Sequence, residues 1–239
     1  MIDPQVLEQL APGGVLKAAI NFGNPVLAQR GATGQPQGVS VALAKALAGE
    51  LGVALELIEF EAAGQVFAAL AADAWRVAFL AIEPVREREI AFSAPYVIIK
   101  GTCLVPTGSP LIHAAQLDAP GVRIAVGQGA AYDLYLSRTV QQAELVRAPT
   151  SAGAVDLFLE QGLEAAAGVR DYLQTRLDPR WRLLADDFMT IRQAVAVPVA
   201  HMAGAAFVKT FVERQKAAGL VKQALLHSGQ SIELAAGNA

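Results

Sequence analysis

Apolar positions recur along this chain at two spacings. Val15 to Ile20 is a short, nearly continuous apolar run that ends in the turn formers Asn21-Phe22-Gly23-Asn24-Pro25, so it reads as a buried strand. A Gly/Gln/Pro-rich loop runs from Arg30 to Gly38. Val41, Ala44, Leu47, Ala48 and Leu51 then fall on one helical face, with Ser40 as the expected N-cap and Gly52 as the stop. Val53 to Phe60 alternates as a strand, Gly64 to Ala72 is a short amphipathic helix, and Arg76 to Ile82 is a third buried strand. This β-α-β-α-β order predicts a parallel sheet covered by helices.

Ile98 to Pro106 is extended and apolar, and a second alternation begins at Val122. It gives the strand VRIAVG, a helix from about Ala131 to Arg138, a short strand at Leu145-Val146, a helix from Ala152 to Gln161, and the strand Ala165 to Val169. Met189 to Pro198 is extended again, and His201 to Ser228 reads as a helical tail whose apolar residues return to the first unit. The expected architecture is α/β and two-lobed, each lobe a sheet flanked by helices, joined by two crossover strands. Residues 1–100 with 197–239 form one lobe and residues 101–196 the other. The cleft between lobes is then the default ligand site.

Composition narrows the classes. The chain has 239 residues, 54% apolar and 17% charged, which is a globular balance. A net charge of −3 leaves no basic footprint for nucleic acid. Cys103 is the single cysteine, so no intrachain disulfide forms, and His113, His201 and His227 show no metal-ligand spacing. No cofactor motif, Ser/His/Asp set or phosphate loop is present. The start, MIDPQVLEQLAPGG, lacks the basic and apolar regions of a signal peptide. A periplasmic location follows if such a peptide has been removed, and a cytoplasmic one if Met1 is the native start.

The densest chemistry lies in Phe79 to Tyr96, FLAIEPVREREIAFSAPY. Arg86 stands just past an apolar run, where a planar, permanently charged fork of donors suits a carboxylate. Arg88 is its competitor and reads as surface. A second candidate is Gln128-Gly129-Ala130-Ala131-Tyr132-Asp133, a strand-to-helix turn whose free backbone N–H groups suit an anion.

These stretches, with GQPQGVSVALAKALAGELGV and FVKTFVERQKAAGLVKQAL, resemble in order and spacing the family 3 solute-binding proteins, the amino-acid receptors of ABC importers. The resemblance covers about Gly14 to Gly229. It implies a type II periplasmic-binding-protein-like fold, a small-molecule carboxylate ligand, ABC permease subunits as partners, and a monomer without catalytic residues, metal or cofactor. It places Arg86 on the ligand carboxylate, helped by Leu80 and Ala81, where Ala81 offers backbone groups only. It places Gly129, Ala130 and Ala131 at the second lobe's turn, again without hydroxyls. Asn21, Phe22 and Asn24 fall where the family has an acidic residue and an aromatic that stacks on the ligand; Phe22 is either that wall or core. Val169 falls where amino-acid receptors carry an Asp for the ammonium, with Asp171 or Glu164 as substitutes. Arg170 is expected on the surface, as are His201 and His227. The resemblance also admits a prephenate or arogenate dehydratase on this fold, with Glu164, Asp171 or Glu83 as general acid, and a ligand-sensing module.

Overall fold

The computed structural model describes residues 2–237. Helix α1 (Pro4–Leu10) starts at Asp3, whose side chain accepts from Gln5 N–H. Strand β1 (Val15–Asn21) leads to a small hairpin, β2 (Gln29–Arg30) and β3 (Pro36–Gln37), and then to α2 (Val39–Leu51). β4 (Ala54–Phe60), α3 (Ala63–Ala68), β5 (Val77–Ala81) and β6 (Ile90–Phe92) precede the long strand β7 (Val97–Pro106). The second alternation is β8 (Arg123–Gly127), α4 (Ala131–Thr139), β9 (Glu144–Ala148), α5 (Ser151–Gln161), β10 (Ala165–Val169), α6 (Arg170–Gln174) and β11 (Trp181–Leu183). β12 (Met189–Pro198), α7 (Met202–Ala217) and α8 (Leu220–His227) end the order.

The chain forms two compact units. Unit 1 comprises residues 1–61, 65–98 and 192–239, and unit 2 comprises 62–64 and 99–191. In unit 1, β1 pairs in parallel with β4, Val15 opposite Ala54 through Asn21 opposite Phe60, and also with β5. β12 closes this sheet antiparallel to β5, Gln193 opposite Ala81, and takes β6 beside it. β5, flanked by β1 and β12, is buried at every position, as expected of a central strand covered on both faces. Trp75, Phe79, Tyr96 and Phe211 are fully buried in this unit.

In unit 2, β8 lies parallel to β9 and to β10, and β10 is antiparallel to β7. Alternation sorts the side chains onto two faces. Cys103, Val105, Ile124 and Val126 pack with Tyr132 and Leu136, while Leu104, Ala125 and Ala166 pack with Val155, Phe158 and Leu173.

Three local expectations change. Ser40 does not cap α2. Gly38 is the N-cap, at φ +113°, and Ser40 sits inside the helix with Oγ 3.3 Å from the Tyr96 hydroxyl. The C-terminal tail is two helices, because Gly219 at φ +80° breaks the run before α8. The Arg30–Gly38 loop holds the β2–β3 hairpin, and α6 and β11 fill segments that carried no expectation.

Candidate functional site

Parallel strands end together, so their loops gather on one edge of each sheet. In unit 1 that edge holds Asn21, Phe60 and Ala81, the last residues of β1, β4 and β5. Asn21 and Asn24 build the turn after β1. Asn21 Oδ1 accepts from Gly23 N–H at 2.9 Å, and Asn24 Oδ1 accepts from Val26 N–H at 3.2 Å. Phe22 N–H donates to the Phe60 carbonyl at 2.8 Å, which carries the β1–β4 register one residue further. The Phe22 ring is half-buried, and the Arg30 guanidinium lies 4.1 Å from its centroid.

Arg86 belongs to a tight turn after β5. Its N–H donates to the Glu83 carbonyl at 2.8 Å, and Ile90 N–H donates to the Arg86 carbonyl at 2.9 Å. Its side chain points inward. Arg86 is 1% exposed, and Nη1 donates to the Ala81 carbonyl at 2.9 Å. Leu80 and Ala81 are buried beneath it, and Arg88 is exposed. Burial lowers the Arg86 pKa to about 10, while the buried carboxylate of Glu83 pushes it the other way. The net shift is downward, so Glu83 offsets only part of the desolvation. A carboxylate brought to this guanidinium would raise the pKa again, which is the same thing as binding favourably.

The matching edge of unit 2 holds Gly127, Ala148 and Val169. Gly129 adopts φ +70°, and Ala130, buried, is an N-cap without a side-chain bond. Ala131 opens α4 and is also buried. The first turn of α4 has a resource that the sequence reading passed over. Asp133, 3% exposed, accepts from Gly129 N–H at 2.8 Å and from Arg147 Nε at 3.1 Å. Its negative charge already complements the N-terminal end of the helix. An acidic residue three places after the cap was the available signal. Val169 is buried and serves as N-cap of α6.

Three further residues depart from expectation. Arg170 is half-buried and bonded rather than a free surface residue. Its Nε donates to Asp187 at 2.6 Å, and its Nη2 reaches Thr102 Oγ1 and the Leu184 and Asp186 carbonyls, so it clips the segment before β12 to unit 2. Glu164 lies at the opposite, amino edge of the sheet, where Arg123 holds it through Nε and Nη2, both at 2.9 Å. That contact keeps its carboxyl below the usual range, the reverse of what a general acid needs. His201 is half-buried at the N-cap of α7 rather than solvated within a helix, and burial lowers its pKa. Cys103 is fully buried, and burial pushes its thiol pKa up. Among the described residues, no group of three His, Cys, Asp or Glu could hold a metal ion, and no helix is long and apolar enough to cross a membrane.

Asn21, Phe22, Asn24, Leu80, Ala81 and Arg86 therefore share the carboxyl edge of unit 1, and Gly129, Ala130, Ala131 and Val169 that of unit 2. Solved structures with this fold include the P235GK mutant of ArgBP from T. maritima, at 19% identity and TM-score 0.79, covering 92% of this chain and 99% of that one. An amino acid ABC transporter substrate-binding protein from Streptococcus pneumoniae, bound to L-arginine, matches at 19% identity and TM-score 0.79, over 93% and 97%. The ancestral amino-acid-binding protein AncCDT-1, a precursor of cyclohexadienyl dehydratase, matches at 20% identity and TM-score 0.78, over 92% and 97%. No curated protein matches the chain. The profile of the bacterial extracellular solute-binding proteins, family 3, matches residues 16–230, nearly the whole chain, and the protein belongs to that family.

Proposed function

We propose that this solute-binding protein captures a small carboxylate, an amino acid or related organic acid, and that Arg86 is the group that selects it. The observation that carries this reading is the state of Arg86. It is a cation 1% exposed at the carboxyl edge of a parallel sheet, with its pKa held down by burial in spite of Glu83. Such a group gains most from an anion that is itself desolvated on binding. Asn21, Phe22, Asn24, Leu80 and Ala81 are its companions on unit 1, and Gly129, Ala130, Ala131 and Val169 are the contact residues of unit 2. Val169 brings no charge for an ammonium, so organic acids stand beside amino acids as candidate ligands.

Delivery to an ABC permease in the periplasm, as a monomer and without catalysis, completes the reading. The dehydratase alternative loses one of its acids, since Glu164 is tied to Arg123. Incubation with prephenate should yield no phenylpyruvate; its appearance would reassign the protein as an enzyme. The direct test compares each acid with its primary amide by calorimetry. The acid should bind at least about tenfold more tightly than the amide. Equal binding of the two would overturn the carboxylate reading.

A further inference from the structure

Phe22, Glu59 and Glu61 stand together at the carboxyl edge of unit 1. Phe22 directly follows β1, and Glu59 and Glu61 are two residues apart around the end of β4, a spacing that puts both on one face of an extended chain. An aromatic face beside two carboxylates is a receptor for a planar cation, because the ring quadrupole and both charges attract it. Here the cation comes from the chain itself. The Arg30 guanidinium covers the Phe22 ring at 4.1 Å, donates through Nη1 to Glu59 Oε2 at 2.6 Å, and through Nη2 to Glu61 Oε1 at 2.9 Å.

We propose that Arg30 fills, from within the chain, a cation subsite formed by Phe22, Glu59 and Glu61, and so makes this protein select solutes whose side chain carries no positive charge. The inference deepens the carboxylate reading, since the subsite shares the sheet edge with Arg86. The backbone around Arg30 is pinned. Leu27 and Ala28 N–H donate to the Asn24 carbonyl, Gln29 Nε2 donates to the Pro25 carbonyl at 2.8 Å, and Gly31 N–H donates to the Gln35 carbonyl. A free guanidinium must therefore displace a competitor held at high effective concentration. The Arg30 side chain is 44% exposed, so removing it leaves the core untouched and uncovers a bare ring with two carboxylates.

Propylguanidinium, which has no carboxylate, tests the subsite independently of Arg86. Wild type and Arg30→Ala are titrated with it while the Phe ring signals are followed by NMR. Arg30→Ala should bind at least about tenfold more tightly than wild type, with the largest shifts at Phe22, and Arg30→Ala with Phe22→Leu should lose the gain. Equal binding by wild type and Arg30→Ala, or a gain that survives loss of Phe22, overturns the proposal. In wild type, L-arginine should bind no more tightly than its neutral isostere L-citrulline. A tenfold preference for L-arginine there also overturns it. A failure of the carboxylate reading shows separately, as equal binding of an acid and its amide.

Discussion

Arg86 combines two opposed features, a charge that the proposed carboxylate would meet and a burial that the charge resists. Its folded pKa, about 10, lies below the ordinary guanidinium value, so the unfolded chain holds this proton more tightly than the folded one. The linked stability is therefore lowest below pH 10 and rises as pH climbs through about 10 toward the ordinary guanidinium value. Carboxylate binding runs the other way, because it favours the protonated guanidinium. Affinity should stay flat from pH 7 to about 9 and fall above about 10, with net proton uptake on binding in that range. Calorimetry in buffers of different ionisation enthalpy measures both. Arg86→Lys should not rescue binding, since an ammonium lacks the planar fork. Arg86 was legible because it follows an apolar run at a strand end. The cover of Phe22 by Arg30, held by Glu59 and Glu61, was not, because it joins three separate segments and each of those charges alone reads as a solvated surface residue.

At the scale of elements, strands announced themselves as apolar runs, as in β10, or by alternation, as in β4. β10 matches its expected bounds, Ala165–Val169, because a continuous apolar run has clear ends, and β12 matches Met189–Pro198 although its first half alternates exposed Thr190 and Arg192 with Ile191 and Gln193. The start of α2 was misplaced because Ser40 resembles a cap, while the required feature is a backbone angle. A Cβ on Gly38 would lie 2.5 Å from the Leu27 carbonyl oxygen, at φ +113°. Gly38→Ala should destabilise the fold by roughly 1–3 kcal/mol in urea unfolding. A loss too small to measure would mean that the turn before α2 yields freely. At the other sheet edge, Asp133→Asn weakens charge-assisted bonds to Gly129 N–H and Arg147 and should lower stability by roughly 1–3 kcal/mol. The short elements α1, β2, β3, α6 and β11 escaped a periodicity reading because each holds fewer than two full repeats of its own spacing.

At the scale of the whole molecule, two α/β units share one design, with parallel strands whose carboxyl-end loops carry the candidate contacts. The repeated strand-helix alternation made that design readable from the sequence. The identity of the solute was not, because Ala81, Ala130, Ala131 and Val169 contribute backbone and apolar surface where a polar side chain would have named a ligand group. A ligand that binds only the folded protein should raise its melting temperature. At a hundredfold excess over Kd the stabilisation is about 2.7 kcal/mol, or roughly 5–10 °C for a chain of this length. The central claim is that Arg86 receives a solute carboxylate. Isothermal titration of wild type and Arg86→Ala with a panel of amino acids and organic acids tests it most directly. The account predicts at least one acid that binds wild type and is weakened at least about tenfold by Arg86→Ala, while the variant keeps its fold by circular dichroism. Equal affinity for every acid in the two proteins would contradict it.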